Sequence, residues 1–138
     1  MKGIYVLLIS IDKDISIRVG SLGCKNFRKG LYVYVGSAQT NLEKRVKRHL
    51  KKTKQKFWHI DYLLSNRHTK IVRVFCKEVG KIEECRVADR LCKVAKPISS
   101  FGSSDCGCKA HLFEIETLAR NTSSYSPMES TRKVLKRI

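Results

Sequence analysis

Residues 30–52 read GLYVYVGSAQTNLEKRVKRHLKK, and the fold turns on how that stretch divides. LYVYV, bounded by Gly30 and by Gly36-Ser37, predicts a short buried strand. Side chains alternate along a strand, so Tyr32 and Tyr34 share one face and Val33 and Val35 the other. Thr40 or Asn41 can cap a helix that begins near Leu42, with Glu43 in its favourable first turn. Leu42, Val46 and Leu50 make one apolar stripe on that helix, and its other faces are almost wholly basic. A second strand of the same kind lies at residues 3–11, GIYVLLISI. It too carries a tyrosine, Tyr5, where Phe or Val would pack as well.

Working outward, ISIRVGSL (15–22) alternates and predicts a hairpin partner for the first strand, and GCKNFRKG (23–30) a loop. FWHIDYLLSN (57–66) predicts a short amphipathic helix, KIVRVFCKEV (70–79) a strand, and IEECRVADRLCKVA (82–95) a third helix stopped by Pro97. FGSSDCGCKA (101–110) predicts a loop and HLFEIE (111–116) a last strand. Hairpin-linked strands followed by helices imply an α+β fold, a small central antiparallel sheet flanked by helices. One domain over residues 1–117 is expected, followed over 118–138 by a basic C-terminal tail that is mobile or forms a short helix.

Composition narrows the partners. The chain has 138 residues, enough for one domain with a real core. Lys and Arg number 29 against 12 acids, a net charge of +17. Such an excess weakens the compact state unless a polyanion balances it, and nucleic acid is the expected polyanion. No apolar run approaches the roughly 20 residues of a membrane span, so no membrane partner is expected. The apolar start runs into IDKD without a small-residue cleavage site, and the expectation is a soluble, cytoplasmic protein. In that compartment the six cysteines are expected to be mostly thiols, with Cys76 and Cys92 as small core residues.

Several polar residues look misplaced in this plan. Tyr5 and Tyr34 lie in strands that can be neighbours. Arg45 and His49 are four apart on one helix face. Glu84 stands at the start of the third helix. A carboxylate can hold Mg²⁺, an arginine can neutralise charge developing on a phosphate, and a phenol or histidine can position or deprotonate water. Lys44, Lys47, Arg48, Lys51 and Lys52 make the basic face expected to contact phosphates. His59 and Asp61 can form a supporting pair beside it. Trp58 and Tyr62 read as core more readily than as stacking platforms. Cys106, Cys108 and His111 lie close in sequence, but a structural zinc site wants four ligands at wider spacing. A disulfide or an ordered thiol-lined loop is preferred there to zinc.

GIY at residues 3–5, YVG at 34–36 and the spaced Leu42, Arg45 and His49 resemble the GIY-YIG nuclease superfamily. The nuclease resemblance covers residues 3–97. With WHIDYLL, the EC at 84–85 and FGSSDCGCKAHLF, the chain also resembles a small, largely archaeal subfamily known as a domain of unknown function. The resemblance implies a metal-dependent endonuclease cutting phosphodiester bonds in DNA, in repair or DNA processing. It implies Tyr5 and Tyr34 as catalytic tyrosines, one of them a general base. Arg45 is implied as the residue on the transition-state phosphate, with His49 one turn on. Glu84 best matches the metal-binding glutamate, with Glu83 its neighbour, holding one Mg²⁺ or Mn²⁺. The asparagine that members often carry after the third helix has no counterpart, since Pro97 is followed by Ile98, Ser99 and Ser100. A binding module that keeps the nuclease fold but cuts poorly is the alternative.

Overall fold

The computed structural model describes residues 2–52, 55–102, 108 and 110–115. Cys106 and the tail expected from residue 118 lie outside the described residues. The strands are β1 (Gly3–Ile11), β2 (Ile15–Arg18), β3 (Cys24–Phe27), β4 (Gly30–Ala38), β5 (Thr69–Lys77), β6 (Lys96–Pro97) and β7 (Leu112–Ile115). The helices are α1 (Leu42–Leu50), α2 (His59–Leu64) and α3 (Ile82–Leu91). Five strands form an antiparallel sheet in the order β5-β1-β4-β7-β6, so the fold is α+β with helices on a central sheet. No helix among the described residues is long and apolar enough to cross a membrane.

The two-residue period of β1 sorts the core into two layers. Tyr5, Leu7, Ile9 and Ile11 face one way and meet Leu42 of α1 and Ile60, Leu63 and Leu64 of α2. Ile4 and Val6 face the other way, with Val33 and Val35 of β4, and meet Val87, Ala88 and Leu91 of α3. β1 is therefore apolar at consecutive positions because helices cover both of its faces.

The hairpin expected between the first two strands does not form. Both edges of β1 are taken, one by β4 and one by β5. ISIR pairs instead with CKNF, the stretch expected to be a loop, as a separate two-stranded sheet. Ile15 and Ile17 still point inward and pack on the α1/α2 layer, which is why ISIR alternates. The thiol of Cys76, expected in the core, is on an exposed position of β5.

α1 ends at Leu50, two residues short of the expected stretch, with Lys51 already extended. Asn41 is its cap, accepting from the Lys44 N–H at 2.9 Å. Its buried stripe is also rotated. Leu50 is 55% exposed, whereas His49 is 2% exposed. A helix advances about 100° per residue, so position i+7 returns to within about 20° of Leu42 while i+8 overshoots by about 80°. His49 thus takes the buried place that apolar spacing had assigned to Leu50.

Candidate active site

Tyr5 is paired with Gly36 across the β1–β4 ladder, and Leu7 with Tyr34. The two tyrosines are diagonal neighbours on the face toward α1, with ring centroids 6.4 Å apart. The Tyr5 ring lies over Gly36. A Cβ there would come within 2.3 Å of the phenol carbon and oxygen, so glycine is required for the ring to sit where it does. Gly3 has a comparable duty, since a Cβ would meet the Lys77 carbonyl oxygen of β5 at 2.1 Å. The glycines of both motifs therefore serve close approach of packed atoms.

The phenol oxygen of Tyr5 is 2.7 Å from His49 Nε2. Burial pushes the Tyr5 pKa far above the ordinary phenol value, although Arg45 pulls it down. Tyr34 is likewise raised, by burial first and then by Tyr5 and Glu84. Both are neutral phenols at neutral pH, and the Tyr5 hydroxyl shares a hydrogen bond with the imidazole whose direction is set by the His49 tautomer.

Arg45 is held from two sides. Its Nη1 donates to the Ser37 carbonyl at 3.0 Å, and its guanidinium carbon lies 4.4 Å from the Trp58 ring centre. Arg48 lies 4.5 Å from the same ring centre. Trp58, read from sequence as core, is half-buried and stacks with both guanidiniums as a wall of the site.

β7 pairs with β4 only as far as Tyr34 opposite Leu112. Beyond that point a cleft of about 510 Å³ opens, and Tyr5, Tyr34, Arg45, Trp58 and Glu84 all line it. Glu84 comes from the first turn of α3, which packs on the opposite sheet face, and it joins the tyrosines at this end of the sheet. Its carboxylate is 12% exposed and lies 3.4 Å from His111 Nδ1. Lys81 also lines the cleft. Nothing in the sequence singles it out from 28 other cations, because its place depends on where α3 starts.

His59 and Asp61 serve the frame. His59 Nδ1 accepts the Gly102 N–H at 2.9 Å, and burial lowers its pKa, so it is a neutral acceptor. Gly102 has φ +73° and a Cβ there would sit 3.2 Å from the Tyr34 ring, so this contact holds a tight loop against the second tyrosine. Asp61 is fully buried and takes two 2.8 Å hydrogen bonds from Arg48. It also accepts the Phe57 and Trp58 N–H groups at 2.8 and 2.9 Å, closing the start of α2.

The expected phosphate face divides in consequence. Lys44, Lys47 and Lys51 are exposed as expected. Arg48 is tied to Asp61 and to the Gln55 carbonyl at 3.0 Å. Lys52 donates to the carbonyls of Leu64, Asn66 and Thr69, closing the end of α2, and desolvation lowers its pKa. These two cations are engaged by groups of the fold itself, Lys52 from an exposed position, which α1 taken alone could not reveal.

The Arg48–Asp61 pair makes a stability prediction. Burial alone would raise the Asp61 pKa, but the Arg48 hydrogen bonds and the two N–H groups outweigh it, and the pKa lies below the ordinary value. A depressed folded-state pKa contributes stability that is present above the unfolded value of about 3.9 and is lost as pH falls through the folded one. Asp61→Ala removes the charge partner of Arg48 and the acceptor of two N–H groups and should cost about 3 kcal/mol at neutral pH. That is a fall of roughly 10 °C in melting temperature. Thermal melts across pH check it. The gap between wild type and variant should begin to narrow only below about pH 4 and shrink further as pH falls through the depressed Asp61 pKa, and a gap unchanged across that range would contradict the assignment.

The fold and site define an α+β protein with a tyrosine-walled, cationic cleft at one end of its sheet. Residues 4–133 match the family described as Domain of unknown function DUF123, and the chain belongs to that family. No curated protein and no solved structure matches the chain.

Proposed function

We propose that the chain is a divalent-metal-dependent endonuclease of the GIY-YIG type that hydrolyses phosphodiester bonds in DNA. One observation carries this reading: Tyr5, Tyr34, Arg45 and Glu84, from β1, β4, α1 and α3, converge on a single cleft. Among the described residues Arg45 and Lys81 are the cations on its wall and Glu84 its carboxylate, a balance suited to an anionic substrate and one cation. Phe57, 79% exposed at the cleft, adds an aromatic face on which a base can stack.

Mg²⁺ keeps several waters and is commonly held by one or two carboxylates plus substrate oxygens. A single glutamate on the cleft wall fits that requirement, and Glu84 is the residue that would hold the ion. The ion, when bound, supplies Lewis-acid stabilisation of charge on the phosphate. Arg45, fixed by Ser37 and Trp58, binds a non-bridging oxygen and needs no reorganisation as charge develops. Tyr5 moves the proton. A high-pKa phenol is a poor base alone, but its oxygen is hydrogen-bonded to His49 Nε2, and in the tautomer that leaves Nε2 unprotonated it donates to that nitrogen. The attacking water passes its proton to the Tyr5 oxygen as the Tyr5 proton passes to His49; the water oxygen bonds to phosphorus as the P–O bond to the leaving nucleotide breaks, the leaving oxygen takes a proton from solvent, and the imidazolium gives its proton back to solvent. Tyr34 orients the phosphate or the water beside Tyr5.

The test is nicking of supercoiled plasmid by the full chain with Mg²⁺ or Mn²⁺ and with a chelator. Metal-dependent nicking is expected, and its absence with both ions would contradict the reading. Binding is tested separately. If Lys44, Lys47 and Lys51 meet three phosphates, duplex affinity falls roughly 40-fold between about 50 and 200 mM salt. Charge reversal at Lys44 and Lys47 should weaken binding and flatten that slope without altering the melt, and a salt-independent affinity would sink the electrostatic account. Salt-sensitive binding without nicking favours the second reading, a nucleic-acid-binding module with a nuclease fold.

A further inference from the structure

Behind Glu84 lies a second cluster. Cys85 of α3, Cys108 and His111 place one ligand atom each, all within 4.8 Å of one another. His111 is 2% exposed and both thiols are half-buried. The His111 main chain is fixed on both sides: its N–H donates to the Phe101 carbonyl at 2.8 Å, and its carbonyl accepts the Val35 N–H at 2.9 Å. The ring therefore sits on a rigid part of the sheet end.

We propose that Cys85, Cys108 and His111 form a zinc-binding site that also fixes Glu84 in the cleft. Two thiolates and an imidazole are the donor set of a borderline-soft ion, and zinc takes such three-residue sets with a water in the fourth tetrahedral position, so this is not the four-ligand structural type. With zinc–ligand lengths of about 2.1–2.3 Å, neighbouring ligand atoms stand about 3.8 Å apart. The three atoms need to close by about 1 Å at most, within reach of small side-chain rotations. Binding releases the two thiol protons to solvent, and the two thiolates then balance the dication.

Glu84 supplies the independent argument. A metal-bound histidine usually donates its other ring N–H to a carboxylate, which fixes its tautomer and orientation. Here Nδ1 lies 3.4 Å from Glu84 Oε2, the kind of carboxylate partner that such a histidine takes. The same contact holds one Glu84 oxygen, so zinc would anchor the carboxylate that walls the cleft. Sequence spacing gave Cys106, Cys108 and His111 within one loop and no ligand from another element. Cys85, 23 positions before Cys108, is brought in only by the packing of α3. Zinc binding at these residues is separable from phosphodiester cleavage, because nothing in the donor set requires a nuclease.

The test is metal content. The full chain, purified and dialysed against metal-free buffer, should retain about one zinc per molecule. Cys85→Ser and Cys108→Ser should lose it, while Cys24→Ser and Cys76→Ser, at exposed thiols outside the cluster, should keep it. Cobalt substituted into the wild type should give a thiolate-to-cobalt charge-transfer band, which decides the matter even where a serine variant fails to fold. A wild type that retains no zinc and gives no such band overturns the proposal, and so does a folded Cys85→Ser variant with wild-type zinc content.

Discussion

Glu84→Gln should abolish metal-dependent cleavage, lowering the rate by about 10³-fold or more, while duplex binding and the melting temperature change little. The size follows from the several kcal/mol a bound ion contributes to a phosphoryl transition state, at 1.36 kcal/mol per tenfold. Glutamine keeps the shape and an oxygen acceptor for His111 Nδ1, so the contact behind the cleft survives. It loses the charge that would hold the ion. Single-turnover cleavage of a labelled duplex, with binding measured in parallel, separates the two effects. Cleavage at the wild-type rate would remove Glu84 from the chemistry and shift attention to Glu83. Glu83 is already engaged by Arg86 at 2.7 Å, which makes it the weaker candidate.

Tyr5→Phe should be the next most damaging change, with a rate loss of about 10²–10³. The ring packs over Gly36 and against the α1 layer, and phenylalanine preserves that packing. The hydroxyl disappears, and with it the 2.7 Å bond to His49 and its interaction with Arg45. His49→Ala should slow cleavage by a comparable factor if the two groups act as one relay, and the double variant should be no worse than either single one. Additive losses would show that Tyr5 and His49 act separately. An early melt with normal cleavage would make both residues structural.

The features legible in the sequence were those that depend on one element's own period. The alternation of β1 and β4 placed Tyr5 and Tyr34 on shared faces, and the four-residue spacing of α1 placed Arg45 and His49 together. The turn chemistry after Gly36 gave the start of α1 at Leu42, and Glu84 fell in the first turn of α3. What sequence reading missed depended on where elements meet. CKNF has no apolar alternation and is a strand only because ISIR pairs with it. Arg48 looked like one more surface cation, yet α2 brings a buried carboxylate to it across 13 positions. Lys52 reached three carbonyls for the same reason, because α2 ends beside it. Trp58 looked like core because a large aromatic in an amphipathic helix usually is, and its two guanidinium neighbours lie on another element. Cys85 and Cys108 come together by the docking of α3 on the sheet, a contact no local spacing encodes.

The most direct measurement of the central claim is a crystal of the full chain soaked in Mn²⁺, with data collected for its anomalous signal. Manganese shares the oxygen-ligand preference of magnesium and can be located unambiguously by that signal. The account predicts a peak in the cleft, bonded to a Glu84 carboxylate oxygen on the side facing Tyr5 and Arg45. An empty cleft at saturating Mn²⁺, or a peak only at carboxylates elsewhere on the surface, would contradict it.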